Sequence, residues 1–293
     1  MKNLLGLFLI VMFVLWGCKP DDKQPTPSGT TNTSNARMVF KFKFDSTQVR
    51  LNNIGQPAAL PSGHSAQSPV FNGMSAHYIE LSPEPFTPLG QGAVLYRAPE
   101  TTLGGSNAIN FDSARISANM AEFFSLPIKS VPAGTYKYLR ISLSYQNYQI
   151  LLKYQSNLIT GTIASFVGFN TYIHNHKIKD STLTVNANRA QGYWAFETPW
   201  LVTSGQAPPG ATTVPNPIFA TSPIPQGSCV VTAAFNPPLV ITGNETQDVK
   251  VVASLSTNKS FEWKDANMDG YYEPLAGDTV VDMGLRGLVP IIE

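Results

Sequence analysis

From Arg37 onward the chain alternates. Met38, Phe40, Phe42 and Phe44 fall on one side of a two-residue period, with Val39, Lys41 and Lys43 on the other; this is the signature of a half-buried strand in an antiparallel sheet. The period is clearest from Thr135 to Tyr145. There Leu139, Ile141, Leu143 and Tyr145 are expected on one face and Tyr138, Arg140, Ser142 and Ser144 on the other, with Pro132-Ala133-Gly134 turning the chain into the strand. Tyr148 to Tyr154 is expected to pair back on it as a hairpin across Gln146-Asn147. Shorter strand patterns run over His77 to Leu81, Ala93 to Arg97, Ala108 to Ser117, Leu158 to Ile173, Thr182 to Asn186, Tyr193 to Phe196, Cys229 to Phe235, Leu239 to Thr242 and Asp248 to Leu255. Pro83, Pro85 and Pro88 exclude a helix between the early strands. Only Ser113 to Phe124 fits helical spacing as well, through Ile116, Met120 and Phe123. Leu51 to Asn72 and the Pro-rich passage Thr198 to Gly227 read as long loops. Many short strands separated by turn residues predict an all-β fold, an antiparallel β-sandwich with Greek-key-like connections and long Pro/Gly-rich loops.

Upstream of Arg37 the pattern changes in kind. Lys2 is followed by an apolar run from Leu4 to Trp16, too short to span a bilayer comfortably and read as the core of a secretion signal. Gly17 stands directly before Cys18. Leu15-Trp16-Gly17-Cys18 resembles the lipobox of bacterial lipoproteins, in which diacylglycerol is added to the cysteine sulfur and a peptidase then cleaves before it. The resemblance implies a signal peptide over 1–17, lipidation of Cys18, and attachment to the membrane, in Gram-negative cells the outer membrane, through that lipid. Residues 18–36 carry no large apolar side chain, so they cannot bury enough surface to offset their ordering entropy and read as a flexible tether. The folded domain is then 37–293. The charged run Lys19-Pro20-Asp21-Asp22-Lys23 looks like the export signals that send some lipoproteins to the cell surface; a merely solvated linker accounts for it equally well.

Composition narrows the function. The net charge is +1 and the 20 basic residues are spread thinly, so there is no clustered positive surface to displace counterions and nucleic acid is excluded as a partner. A membrane, through the lipid, and an extracellular or periplasmic ligand or protein are the partners left. The chain has only two cysteines; with Cys18 acylated, Cys229 has no disulfide partner and reads as a small buried residue.

Near the C-terminus, Asp265, Asn267 and Asp269 stand at positions one, three and five of a loop, Gly270 at six, Tyr271 at seven and Glu273 at nine. Calcium asks for this spacing, because alternate residues turn hard oxygens inward and glycine permits the sharp bend. The segment resembles the first half of an EF-hand or dockerin-type loop. It departs at position twelve, where Ala276 stands instead of a bidentate Glu, so the last ligand is expected from Asp278, Asp282 or a water. The flanks read as strand, and the expectation is a structural calcium clasped by a β-loop over 265–278; an Asx-rich turn holding itself by side chain to backbone bonds is the alternative.

His174-Asn175-His176 on a strand would put both imidazoles on one face, where they could share zinc or copper with a third ligand from His64, His77 or Cys229. Gly63-His64-Ser65-Ala66-Gln67 has the outline of a nucleophile elbow without its last glycine and between Pro61 and Pro69, and is set aside. Glu80, Glu84, Glu100 and Glu122 show no catalytic pairing, and the chain reads as non-enzymatic. Tyr193-Trp194, Trp200 and Trp263 could form a sugar-stacking platform, the basis of a carbohydrate-binding or carbohydrate-active alternative. Asp-Ser/Thr triplets at Ser46, Ser113, Ser181 and Thr279 look like acceptors of a bacterial O-glycosylation system. The MVFKFKF strand after a tether, the Pro-Ala-Gly-Thr-Tyr turn into the strand reaching Tyr145, and the late run into Asn258-Lys259-Ser260-Phe261 resemble MbnP-like lipoproteins, copper-associated β-sandwich proteins encoded beside haem peroxidases. That likeness implies a copper- or zinc-binding accessory role, with His174 and His176 as the ligand positions.

Overall fold

A computed structural model describes residues 35–51, 56–168, 170–208 and 230–293; the lipobox with Cys18, most of the tether, and Cys229 lie outside them. The strands are β1 (Arg37–Asp45), β2 (His64–Gln67), β3 (Val70–Ser82), β4 (Ala93–Arg97), β5 (Glu100–Thr101), β6 (Ala108–Asn110), β7 (Glu122–Pro127), β8 (Gly134–Tyr154), β9 (Asn157–Phe166), β10 (Thr171–Lys177), β11 (Thr182–Arg189), β12 (Tyr193–Glu197), β13 (Val202–Gln206), β14 (Val230–Ile241), β15 (Val249–Ser256), β16 (Phe261–Lys264), β17 (Thr279–Met283) and β18 (Arg286–Ile292). Among the described residues the only helical pieces are short 3-10 turns. The expected all-β sandwich is what the chain forms. The window from Ser113 to Phe124 contributes no α-helix: its end enters β7, where Phe123 and Phe124 are buried.

One sheet runs β13-β12-β9-β8-β3-β4, with β14 also on β8, and a second runs β18-β15-β1-β7. Their facing sides share the main core, where Met38, Phe40 and Phe42 of β1, Ile79 of β3, Leu139 and Ile141 of β8 and Val251 of β15 lose all or nearly all contact with water. The period-two pattern of β1 therefore packs as its spacing demands, and Phe40 stacks on Phe124 at 5.3 Å between ring centres. Its pairing differs from expectation. β1 is antiparallel to β7 but parallel to β15, two hundred residues later. Parallel neighbours need a long crossover, and the whole first sheet supplies it here.

β8 organises the first sheet. β3 pairs along one edge from Tyr138 to Gln149, while the other edge is shared by β14, from Gly134 to Ser142, and β9, from Tyr145 to Tyr154. Two expectations about this strand are corrected. There is no turn at Gln146-Asn147: Gln146 donates to Ser165 Oγ and to Met283 O, and Asn147 to Ile178 O, so both amides are satisfied inside the fold and the strand runs through. The hairpin turns later, after Tyr154, where Gln155 takes φ 55°. Nor does Tyr145 share a face with Leu143. The register with β3 skips Ser144, and beyond this bulge the faces exchange. Leu143 and Tyr148 pack in the main core, whereas Tyr145 joins a second cluster with Phe166, Ile173, Ile178 and Tyr193. The smaller sheet β11-β10-β6-β5 covers that cluster. Finally, Leu51 to Asn72 is not all loop: it contains β2 and the start of β3, and β2 edges a three-stranded sheet β17-β16-β2.

Candidate functional site

The loop from Asp265 to Asp278 joins β16 to β17 at the edge of that small sheet. Its base is apolar. Phe261 and Trp263 of β16 are each 1% exposed, and Tyr272 from the loop packs its ring 5.1 Å from Phe261 and 5.7 Å from Trp263. The backbone bends as the spacing predicts: Gly270 sits at φ +81° with open space where a Cβ would be, so conformation alone asks for glycine there.

Within the loop, Asp265 is 6% exposed. Its Oδ2 accepts the Ser65 hydroxyl at 2.7 Å and the Gly270 N–H at 2.9 Å, whereas its Oδ1 is buried with no hydrogen-bond partner. Burial raises this carboxyl, but the Ser65 hydroxyl and the loop N–H groups outweigh it and hold the group below its ordinary range. Asn267 Oδ1 accepts the Asp269 N–H, Asp269 Oδ1 the Tyr271 N–H, and Asn267 Nδ2 donates to Glu273 Oε2 at 2.7 Å. Asp278 spends one oxygen on the Ala266 N–H at 2.8 Å and the other on the Glu273 N–H at 2.7 Å, tying the two ends of the loop together.

A cation from outside the loop completes it. Lys153, at the end of β8, bonds to Asp269 Oδ2, lies 3.2 Å from Glu273 Oε2 and stands 5.4 Å over the Tyr271 ring. Asp269 is pulled down by that ammonium, and the ammonium is raised in turn. The loop thus combines oxygen donors at one, three, five and nine with one orphaned carboxylate oxygen and a lysine balancing the rest. Among the described residues no group of three or more His, Cys, Asp or Glu converges as a formed metal shell. Asp282, named with Asp278 as a source of the last ligand, instead pairs with Arg286 at 2.8 Å.

Beside the loop lies an ionic cluster invisible in sequence. Glu262 of β16 accepts from Arg50 and from Arg286 at 2.9 Å on one oxygen, and meets His64 Nδ1 at 2.6 Å on the other. Burial raises Glu262, but His64 and the two arginines more than reverse this. Arg50 and His64 stand some two hundred residues before Glu262 and leave no local signal. His64 and Ser65 lie on a strand, paired with Lys264 and Trp263, rather than in the loop expected from Pro61 and Pro69.

The histidine pair does not share a face. β10 bulges against β11 between Ile173 and Asn175, so His174 turns to solvent while His176 is fully buried. His64 is held by Glu262 and His77 by Glu100 at 2.8 Å, away from both. His176 instead sits among Phe111, Tyr145, Phe166 and Tyr193, with ring centres 5.0 to 6.2 Å away, and neither ring nitrogen has a hydrogen-bond partner among the described residues.

The four glutamates part company: Glu80 pairs with Arg140, Glu84 with Lys137, Glu100 with His77, and Glu122 accepts from Ser125. Of the aromatic residues proposed as a platform, Tyr193 and Trp263 are buried and Trp200 is 70% exposed. Ser46, Ser113 and Thr279 are exposed and Ser181 is half-buried. Comparison with family models, with curated proteins and with solved structures gave no match to this chain.

Proposed function

We propose that the protein is a non-enzymatic binding or structural lipoprotein of the outer membrane, anchored through Cys18, whose 265–278 loop takes a structural calcium ion. The observation that carries the calcium reading is Asp265 Oδ1, a buried carboxylate oxygen without a partner at position one of the loop, since a buried polar atom left unmade is costly and native folds rarely keep one without a use. Asp265, Asn267, Asp269, Glu273, the main-chain carbonyl of Tyr271 and Asp278 are the oxygens that would hold the ion. Its chemistry there is electrostatic, neutralising the carboxylates that Lys153 balances only in part.

Calorimetric titration of the purified, chelator-treated protein with calcium is expected to give a single saturable heat. At a hundredfold excess over Kd the ion should add about 2.7 kcal/mol of stability by mass action, read as a rise in Tm that EDTA reverses. Asp265→Asn abolishes both effects. Lys153→Met, which removes the competing ammonium from Asp269 and Glu273, is expected to bind calcium more tightly than wild type. No heat together with a Tm indifferent to EDTA sinks the reading. Copper or zinc retained through purification and released on replacing His174 and His176 would favour the MbnP-like accessory role in its place. For the anchor, mass spectrometry of native material is expected to find Cys18 as the acylated N-terminal residue.

A further inference from the structure

One residue beyond Lys153, which engages the 265–278 loop, the outer end of the β8–β9 hairpin meets the turn between β12 and β13. Tyr154 (41% exposed), Trp200 (70%) and Leu201 (55%) stand there, and the Tyr154 and Trp200 rings lie 6.0 Å apart at 45°. Scattered exposed apolar residues are ordinary. This tryptophan is different because backbone bonds hold it out. The Thr198 N–H donates to Leu201 O at 2.8 Å, and the Thr198 hydroxyl oxygen accepts the Leu201 N–H at 3.1 Å and the Trp200 N–H at 3.4 Å. With Pro199 fixing φ inside the turn, the indole is presented by a closed, stiff turn rather than by packing against a core.

A second turn, between β10 and β11, forms the facing wall. The N–H groups of Lys179, Asp180 and Ser181 all point at the Glu197 carboxylate, at 3.0 to 3.2 Å. Glu197 is the last residue of β12 and Thr198 begins the Trp200 turn, so adjacent residues hold the two walls at a set spacing. Between the walls is a groove of about 470 Å³, in the size range of small-molecule sites. Lys179, Asp180 and Ser181 line it from one turn and Thr198, Trp200 and Leu201 from the other, with Thr160 of β9 beside them. Both oxygens of Glu197 are committed to backbone donors, so it supplies architecture and no spare acid or base.

The lining selects the occupant. A hydrocarbon ligand would strip water from the hydroxyls and the Asp180 carboxylate without replacing it, and a small ion would leave the indole face uncovered. A sugar ring has both a face of C–H groups and a rim of hydroxyls that donate and accept. We propose that this groove is a saccharide-binding site, with one ring seated on Trp200 and its hydroxyls bonded to Asp180, Ser181 and Thr160. This names a ligand class for the binding role proposed above, and none of the groove's lining residues belongs to the 265–278 loop.

The test uses the full-length protein in detergent, with calcium and separately with EDTA, so that failure of the loop and failure of the groove are read apart. A broad glycan array is probed first, followed by native affinity electrophoresis in gels containing laminarin, xylan or yeast mannan. Binding to at least one glycan is expected, with Trp200→Ala weakening it roughly tenfold or more at unchanged Tm and Asp180→Asn weakening it to a lesser degree. Absence of any glycan binding overturns the proposal, as does binding that Trp200→Ala leaves intact. Trp200-dependent sedimentation with phosphatidylethanolamine–phosphatidylglycerol vesicles, without glycan binding, overturns it too and assigns the patch to the membrane surface.

Discussion

Replacing Arg140 with Met is expected to cost about 3–5 kcal/mol of unfolding free energy, because it strands a buried carboxylate. Arg140 and Glu80 face each other across β8 and β3 with N–O at 3.0 Å, their side chains 1% and 0% exposed. The remaining Glu80 oxygen accepts the Gly90 and Gly92 N–H groups at 3.1 and 2.7 Å, and Arg140 reaches Pro85 O at 3.3 Å. The pair therefore does more than neutralise itself: it pins the Pro83 to Gly92 connection onto the sheet. Gly92 belongs to the same arrangement, since a Cβ there would meet Leu81 O at 2.3 Å and Glu80 Oε1 at 2.8 Å. Urea unfolding of Arg140→Met, Glu80→Met and the double variant separates the effects. Each single change strands a charge or removes its donor set; the double change removes both charges, so its loss should fall well short of the sum. Additive losses would show that the pair is not coupled and that the argument from stranded charge is wrong.

Much of this layout can be seen in the sequence, and what cannot be seen has a common cause. Alternation identified β1, β12, β15 and the first half of β8, since a two-residue period is a local property. Gln146-Asn147 looks like a turn because amides favour turns; only Ser165, Met283 and Ile178, all distant, show that the two amides are spent inside the fold. The same holds for Ser144, whose bulge sends Tyr145 into the second core, and for the bulge that parts His174 from His176. The bend of the 265–278 loop was legible in its own residues, since Gly270 at position six takes the φ of +81° that the spacing predicts. Lys153 and Ser65, which engage Asp269 and Asp265 from β8 and β2, were not. Residues that act across the sandwich carry no periodic mark, and these are the residues that decide whether a motif is balanced, buried or free.

His176 gives the second large effect, one that depends on pH. With four aromatic rings around it and no partner for either nitrogen, the imidazole is pushed by burial from 6.5 down to about 4. The unfolded chain therefore binds this proton more readily than the folded one. Stability from this residue is fully present above pH 6.5, falls as the pH drops below that value, and levels off near pH 4. The drop from 6.5 to about 4 corresponds to about 3 kcal/mol over that window. Denaturant midpoints of wild type should fall between pH 7 and pH 4.5, and the fall should be shallower by most of this amount in His176→Phe, which keeps an aromatic ring in the cage and has no proton to take up. The carboxylates that are lowered by their partners, Asp265 and Glu262 among them, also lose stability as pH falls, but chiefly below their unfolded values near 4; His77, likewise lowered by burial, acts between pH 6.5 and 5 in both proteins, so the difference between wild type and His176→Phe across that segment belongs to His176. Parallel wild-type and His176→Phe curves across that segment would mean that the ring is hydrated or hydrogen-bonded in solution, and the dry aromatic cage would have to be abandoned.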